Sequence, residues 1–173
     1  ELSGWMLAVF HSLPFVGVAL TCHCGPADNL ALCAAVAQCQ AGDVLVAATD
    51  GFTGSSVVGD LLLGIAKNRG AVAFVTDGLV RDQNDIEALG LPCYATGATP
   101  NSPARNGPGS VGLPVQCGGL QVMSGDIVIG DRDGVGVAAT APKMNLPFMF
   151  PPSDRCLWPE PPRNPAAQSM PLT

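Results

Sequence analysis

GDLLLGIAKNRGAVAFVTDGLVRD, residues Gly59–Asp82, reads as loop, helix, strand and loop. The helix is predicted over Val57–Arg69, with Gly70 at the position where a left-handed residue closes a helix. Ala71–Thr76 follows as a β-rich apolar run, and Asp77–Arg81 as a strand-end loop. A helix that runs away from a sheet edge and a strand that returns to it bring the two ends of such a segment together. Asp60 and the pair Arg81-Asp82, in a D-x20-R-D spacing, are therefore expected to converge beside a helix N-terminus. Two carboxylates and one guanidinium at such a point suit a divalent metal and an anionic oxyacid.

Working outward, the same alternation continues on both sides. Phe15–Thr21 is predicted as a core strand, and Asp28-Asn29 as an Asx cap for the Ala/Leu-rich helix Leu30–Gln40. Val44–Ala47 is a second buried strand, and Thr49–Ser56 a Gly/Ser/Thr loop. Downstream, Gln83–Leu89 is a short helix and Leu91–Ala95 a strand. Short apolar strands alternating with helices mark an α/β layered domain. Thr96–Gly112 is a Gly/Pro/Asn-rich loop. Three β-like runs between Val115 and Val137 form a β-rich layer packed on, or continuing, the first sheet. Residues 142–173 hold nine of the sixteen prolines, so an irregular tail is expected there. The division is one α/β domain over 1–141 and a proline-rich tail over 142–173.

Composition excludes several functions. Net charge is −6, and Lys67 and Lys143 are the two lysines, so no basic stripe offers a footprint for nucleic acid. Charged residues are 13% of the chain, against the ~25% usual for soluble domains. So little charge suggests surface buried against other subunits. Seven cysteines are scattered without C-x-x-C spacing, mostly in apolar runs, which reads as a reduced, cytoplasmic chain. Gly4–Leu20 is apolar but contains His11, Pro14 and two glycines. A span needs ~20 mostly apolar residues and a signal peptide needs basic and cleavage-site flanks, so a buried strand is expected there and no membrane role.

The chemistry of the converging residues can be weighed singly. Gly59 lets a ligand approach the backbone of a helix start, where free N–H groups bind anions. Asp60 alone also fits a bland role in stabilising the first turn, worth ~0.3–1 kcal/mol. Arg81 offers a forked donor for a carboxylate or enolate oxygen. Asp82 is a hard oxygen ligand suited to Mg²⁺ or Mn²⁺; its alternative is a surface pair with Arg81 or a cap for Gln83–Leu89. Schiff-base chemistry needs a desolvated lysine. Lys67 sits mid-helix and Lys143 in the tail, so carbanion chemistry would use a metal as Lewis acid. Cys22-His23-Cys24 lacks the partner pair of a zinc site, and His11 is read as structural. No G-x-S-x-G, G-x-G-x-x-G or Walker pattern is present.

From Gly17 to Val137 the chain resembles the RraA-like family, on GPADNLAL (Gly25–Leu32), AGDVLV (Ala41–Val46), GDLL…TDGLVRD (Gly59–Asp82), GLPCYATGATP (Gly90–Pro100) and PVQCGGLQVMSGDIVIGDRDGVGV (Pro114–Val137). That family contains 4-hydroxy-4-methyl-2-oxoglutarate aldolases with oxaloacetate decarboxylase activity, and relatives named as regulators of ribonuclease E activity. The intact D-x20-R-D element resembles the aldolase branch. The resemblance implies a β/β/α swivelling-domain, phosphohistidine-domain-like sandwich assembled as a homotrimer or hexamer. It also implies that the backbone of Gly59, Asp60, Leu61 and Leu62 holds the carboxylate of a small 2-oxo acid. Arg81 would contact substrate and stabilise an enolate, Asp82 would anchor Mg²⁺ or Mn²⁺, and Asp60 would act through a metal-bound water. The implied reactions are retro-aldol cleavage to pyruvate and decarboxylation of oxaloacetate. The alternative is a non-catalytic regulator binding a ribonuclease or another protein. The family carries an N-terminal helical segment before the Gly17 region, expected to be missing here, and ends in a helix where this chain turns proline-rich.

Overall fold

Four parallel strands carry the architecture of the computed structural model, which describes residues 13–139 and, as backbone, 8–10 and 148–150. In chain order the elements are β1 (Ala8–Phe10), β2 (Phe15–Cys24), α1 (Leu30–Gln38), β3 (Asp43–Ala48), β4 (Ser56–Val58), α2 (Asp60–Asn68), β5 (Ala73–Thr76), β6 (Leu79–Val80), α3 (Gln83–Leu89), β7 (Cys93–Tyr94) and β8 (Gly97–Ala98). Then come β9 (Gly109–Val111), β10 (Val115–Cys117), β11 (Leu120–Val122), β12 (Ile127–Asp131), β13 (Gly134–Ala138) and β14 (Phe148–Phe150).

The main sheet runs β1-β7-β5-β3-β2-β12-β13. β2, β3, β5 and β7 are mutually parallel, and α1, α2 and α3 make the crossovers between them. Every crossover steps the same way along the sheet, so right-handed connections lay all three helices on one face. The long strand β2 is shared: β12 pairs antiparallel with its first half and β9 with its end.

Period-two alternation then divides the core in two. Leu45 and Ala47 of β3, Phe74 of β5 and Cys22 of β2 meet Leu32, Leu63 and Ile86 of the helices. Val44, Val46 and Ala48 point the other way and pack with Val75, Tyr94 and the β10–β11 hairpin residues Val115, Cys117 and Val122. β3 is therefore buried on both faces, which is why it reads as a continuous apolar run. The result is an α/β domain of three layers: helices, parallel sheet, and a β-rich cover.

The structure shifts some expected boundaries for local reasons. The helix expected from Val57 begins at Asp60, because Ser56–Val58 pairs as a strand with Leu79–Val80. Pairing captures two β-branched residues that propensity alone left to the helix. α1 ends at Gln38, two residues early, since the Gln40 N–H turns to Asp43 Oδ2 at 2.8 Å. Gly70 does close α2, with φ +98, and a Cβ there would lie 2.6 Å from the Ala41 backbone. β2 extends to Cys24, placing the Cys22-His23-Cys24 run within a strand. Thr96–Gly112, expected as loop, contributes β8 and β9. Within the expected irregular tail, Phe148–Phe150 pairs with β9; the remaining residues of 142–173, with Lys143, lie outside the described residues. His11 lies outside them too.

Candidate active site

A second, smaller sheet builds the site. β4, β6 and β8 follow β3, β5 and β7 in the chain and pair in parallel in the order β4-β6-β8. Its strand ends deliver Gly59 after β4, Arg81-Asp82 after β6 and Thr99–Ser102 after β8. Backbone bonds hold these ends together: Arg81 N–H donates to Val58 O at 3.1 Å, Thr99 N–H to Val80 O at 2.9 Å, and Ser56 N–H to Asn101 O at 2.9 Å.

Gly59 lies against the Arg81-Asp82 pair. A Cβ on Gly59 would stand 2.3 Å from Asp82 Oδ2 and 2.8 Å from Arg81 Nε. Its backbone is extended (φ −132, ψ −176), a conformation open to any residue, so space and not backbone freedom calls for glycine. Arg81 Nε donates to Asp82 Oδ2 at 3.1 Å, and Arg81 Nη1 donates to Ser102 Oγ. Asp82 is held left-handed at φ 59, ψ 47. That conformation costs a non-glycine residue ~1–2 kcal/mol and persists where neighbours over-determine it. Its carbonyl starts α3 by accepting from Ile86 N–H at 2.9 Å, while its side chain makes no cap bond. Both alternatives weighed for Asp82, the ion pair and the cap position, are thus present beside an acceptor oxygen that Arg81 does not use.

Gly59, Leu61, Leu62 and Arg81 line a cleft of about 320 Å³ with Asn29, Ser102 and Arg105. Arg81 and Asp82 also line an adjoining cleft of about 470 Å³ with Asp85 and Thr99. Asp60 heads α2, half-buried, and is not among the residues lining either cleft. Lys67 is exposed on α2 and donates to Leu89 O, away from both clefts.

Three further residues line the cleft: Asn29, expected only as a helix cap, and Ser102 and Arg105, for which no role was expected. Asn29 is buried, its Nδ2 donating to Val57 O at 3.0 Å. Ser102 and Arg105 come from the loop before β9, where no periodicity or motif singles them out. Asp28, expected as part of a helix cap, instead accepts Leu30 N–H at 2.8 Å with one oxygen and the N–H groups of Asn106 and Gly107 with the other. It is 6% exposed. Asp28→Ala is expected to destabilise the domain by about 1–3 kcal/mol, read by urea melting, because buried donors lose their acceptor.

The Cys22-His23-Cys24 run cannot close on one ion. Cys22 and Cys24 enter the helix-side core, whereas His23 projects from the opposite face, its Nε2 2.9 Å from Asp50 Oδ2. A hydrogen bond with Cys24, and then burial, raises the Cys22 thiol well above its usual range. Burial pushes Cys93 and Cys117 up to about 12. Protonated thiols are poor nucleophiles and poor ligands. Among the described residues, no three His, Cys, Asp or Glu side chains gather as a metal cage.

Residues 4–137 match the RraA-like family, described as Aldolase/RraA. The chain belongs to the RraA-like family. A curated relative from Halalkalibacterium halodurans, provisionally named 4-hydroxy-4-methyl-2-oxoglutarate aldolase, is 36% identical over 131 residues, covering 76% of this chain and 62% of that protein. The chain thus spans less than two thirds of that relative's length. Among solved structures, the RNA-processing inhibitor RraA from Thermus thermophilis is similar at TM-score 0.71 and 28% identity, covering 81% of this chain and 88% of that one. RraAS2 from Streptomyces coelicolor, described as an unusual member of the RNase ES inhibitor RraA family, gives TM-score 0.68 and 32% identity, over 79% of this chain and 71% of that one. The RraA-like fold is therefore shared by a relative with an aldolase name and by relatives named as inhibitors. No helix among the described residues is long and apolar enough to cross a membrane.

Proposed function

We propose that this RraA-like chain is a divalent-metal-dependent carbon–carbon lyase that releases pyruvate from 4-hydroxy-4-methyl-2-oxoglutarate-type 2-oxo acids and decarboxylates oxaloacetate. The observation that carries this reading is Gly59 packed on the Arg81-Asp82 pair at the N-terminus of α2. The first N–H groups of a helix lack intrahelical partners, and those of Asp60, Leu61 and Leu62 would hold the carboxylate of the 2-oxo acid. Arg81, fixed by Asp82 and Ser102, would direct its remaining N–H groups at the C2 oxygen. In the aldol substrate the C4 hydroxyl would lose its proton to a water beside Asp60 as its C=O forms, whereas oxaloacetate already carries a C4 carboxylate; in both, the C3–C4 electron pair moves to form the enolate, and Arg81 stabilises that charge where it develops. Protonation at C3 completes pyruvate, and the other product is a carbonyl compound or CO₂. The Asp60 side chain makes no hydrogen bond or ion pair with another described residue and would exchange protons through a water.

The donor set fits a lightly held hard cation. Asp82 is one-third exposed, and Arg81 engages only one of its oxygens. Mg²⁺ is commonly held by one or two carboxylates, with waters and substrate supplying the rest. Asp82 would anchor Mg²⁺ or Mn²⁺, and the cation would supply Lewis acidity toward the 2-oxo group. Pyruvate release coupled to a dehydrogenase, corrected for spontaneous decarboxylation of oxaloacetate, tests the reading. Chelation with EDTA is expected to abolish turnover and excess Mg²⁺ to restore it; turnover that survives EDTA sinks the proposal.

The same proposal includes a homotrimer or hexamer. Leu61, on the cleft, is 77% exposed and Ile65, one turn further along α2, is 47% exposed, an apolar stripe that a second copy would cover. We further propose that the chain is cytoplasmic and that its three layers are of the β/β/α swivelling type. The second reading, a regulator that binds a ribonuclease, is favoured by the named inhibitors among the similar structures. It expects ribonuclease capture by an Asp60/Arg81/Asp82 triple-alanine variant without metal.

A further inference from the structure

We infer that Ser102 is a further catalytic residue, which accepts from Arg81 and gives its own O–H to the substrate oxygen on which charge develops; this rests on the reading of the cleft as a 2-oxo acid lyase site. A guanidinium has N–H donors and no acceptor. In the Arg81–Ser102 bond the hydroxyl oxygen must therefore accept from Arg81 Nη1. A serine carries a single O–H, and that proton is thereby turned away from Arg81. No described residue accepts it. Ser102 lines the cleft with Gly59, Leu61, Leu62 and Arg81, so an anion bound there supplies the missing acceptor. A hydroxyl whose oxygen already accepts from a cation is polarised and donates more strongly.

The fold also fixes where this hydroxyl stands. Asn101 O accepts the N–H of Ser56 at 2.9 Å and its Oγ–H at 2.8 Å, and Asn101 Nδ2 donates to Gly54 O at 3.2 Å. Pro103 follows directly and disfavours helical backbone at Ser102. Ala104 N–H then donates to Ala27 O at 2.7 Å, and Ala104 O accepts Asn29 N–H at 3.0 Å. The chain is thus tied to β4 on one side of Ser102 and to the 27–30 loop on the other. Asp82 takes Arg81 Nε and Ser102 takes Nη1. The N–H groups left for substrate adjoin the Ser102 oxygen, and a substrate oxygen that they hold comes within reach of its O–H. Two donors then meet the enolate charge in a frame that needs no reordering as the bond breaks.

Pyruvate release from oxaloacetate, beside calorimetric titration of the full chain in Mg²⁺ with pyruvate and with oxalate, a planar mimic of its enolate, tests the inference. Ser102 is exposed, so Ser102→Ala should melt like wild type. It should lower kcat about 10- to 100-fold, less than loss of the charged Arg81, and leave KM within about threefold. Oxalate should bind Ser102→Ala about 10-fold more weakly and pyruvate within about twofold of wild type. Ser102→Thr, which keeps the hydroxyl, should recover most of both losses. In an Arg81→Ala background, Ser102→Ala should still lower kcat by about threefold or more, because the hydroxyl meets the substrate itself. Unchanged kcat in Ser102→Ala, no recovery in Ser102→Thr, or no further loss in the double variant overturns the inference. Weaker oxalate binding in Ser102→Ala with no turnover by wild type leaves Ser102 a donor to the bound anion and defeats the lyase reading alone. EDTA-sensitive turnover in wild type that is unchanged in Ser102→Ala defeats the role of Ser102 alone.

Discussion

Arg81→Ala is expected to lower kcat for pyruvate release by about 100- to 1000-fold, the range seen when a donor to a developing oxyanion is removed. The side chain reaches the cleft from the end of β6 and is fixed at two of its nitrogens, through Asp82 Oδ2 and Ser102 Oγ. Its effect should therefore fall on kcat more than on KM, because the charge it meets grows as the bond breaks. Arg81→Lys keeps a positive charge but cannot hold both partners, and should recover only part of the loss. Folding should change little, since the side chain is 30% exposed and stands outside both halves of the core. Wild-type kcat in Arg81→Ala would remove Arg81 from the chemistry and with it the lyase reading.

Gly59→Ala should be nearly as damaging, for a different reason. The added methyl would overlap Asp82 Oδ2 at 2.3 Å and Arg81 Nε at 2.8 Å, so both side chains must move. The backbone does not resist, because φ −132 and ψ −176 suit alanine as well as glycine. Thermal melting should stay close to wild type while kcat/KM falls about 100-fold, the scale of a displacement near 1 Å in a positioned group. Because the methyl acts through Arg81, the effects should not add: the Gly59→Ala/Arg81→Ala double variant should be little worse than Arg81→Ala alone. Additive losses would mean that Gly59 serves the site by another route, such as the approach of substrate to the helix start.

Much of this arrangement was legible in the chain. α3 was read at Gln83–Leu89 and found there. The left-handed close of α2 at Gly70 and the buried strands at Val44 and Ala73 followed from glycine position and apolar runs. A helix out and a strand back pointed to Asp60 meeting Arg81-Asp82; the structure sets Gly59 against that pair and leaves Asp60 off both clefts. Less legible was β4, because Ser56–Val58 becomes a strand only through pairing with β6, whose two residues lie more than twenty positions away. Two-residue strands such as β6 and β8 are too short to leave a period in sequence. The Asp28 carboxylate looked like a cap because its nearest donor, Leu30 N–H, is local, whereas its other donors come from residues 106 and 107.

The amino-acid sequence by itself determined the α/β alternation, the family, and the return of the Gly59–Asp82 segment to its starting edge, since each rests on local pattern or on a single helix–strand unit; that Gly59 and not Asp60 packs on Arg81-Asp82 was decided in three dimensions. Tertiary structure alone decided that β4, β6 and β8 form a separate sheet presenting those residues, and that Asp82 is held left-handed against Arg81. It alone placed Arg105 on the same cleft wall, 24 residues beyond Arg81, by clamping its loop to Asp28 and Asn29. Such contacts depend on hydrogen bonds between segments far apart in the chain, and no periodicity in either segment records its partner.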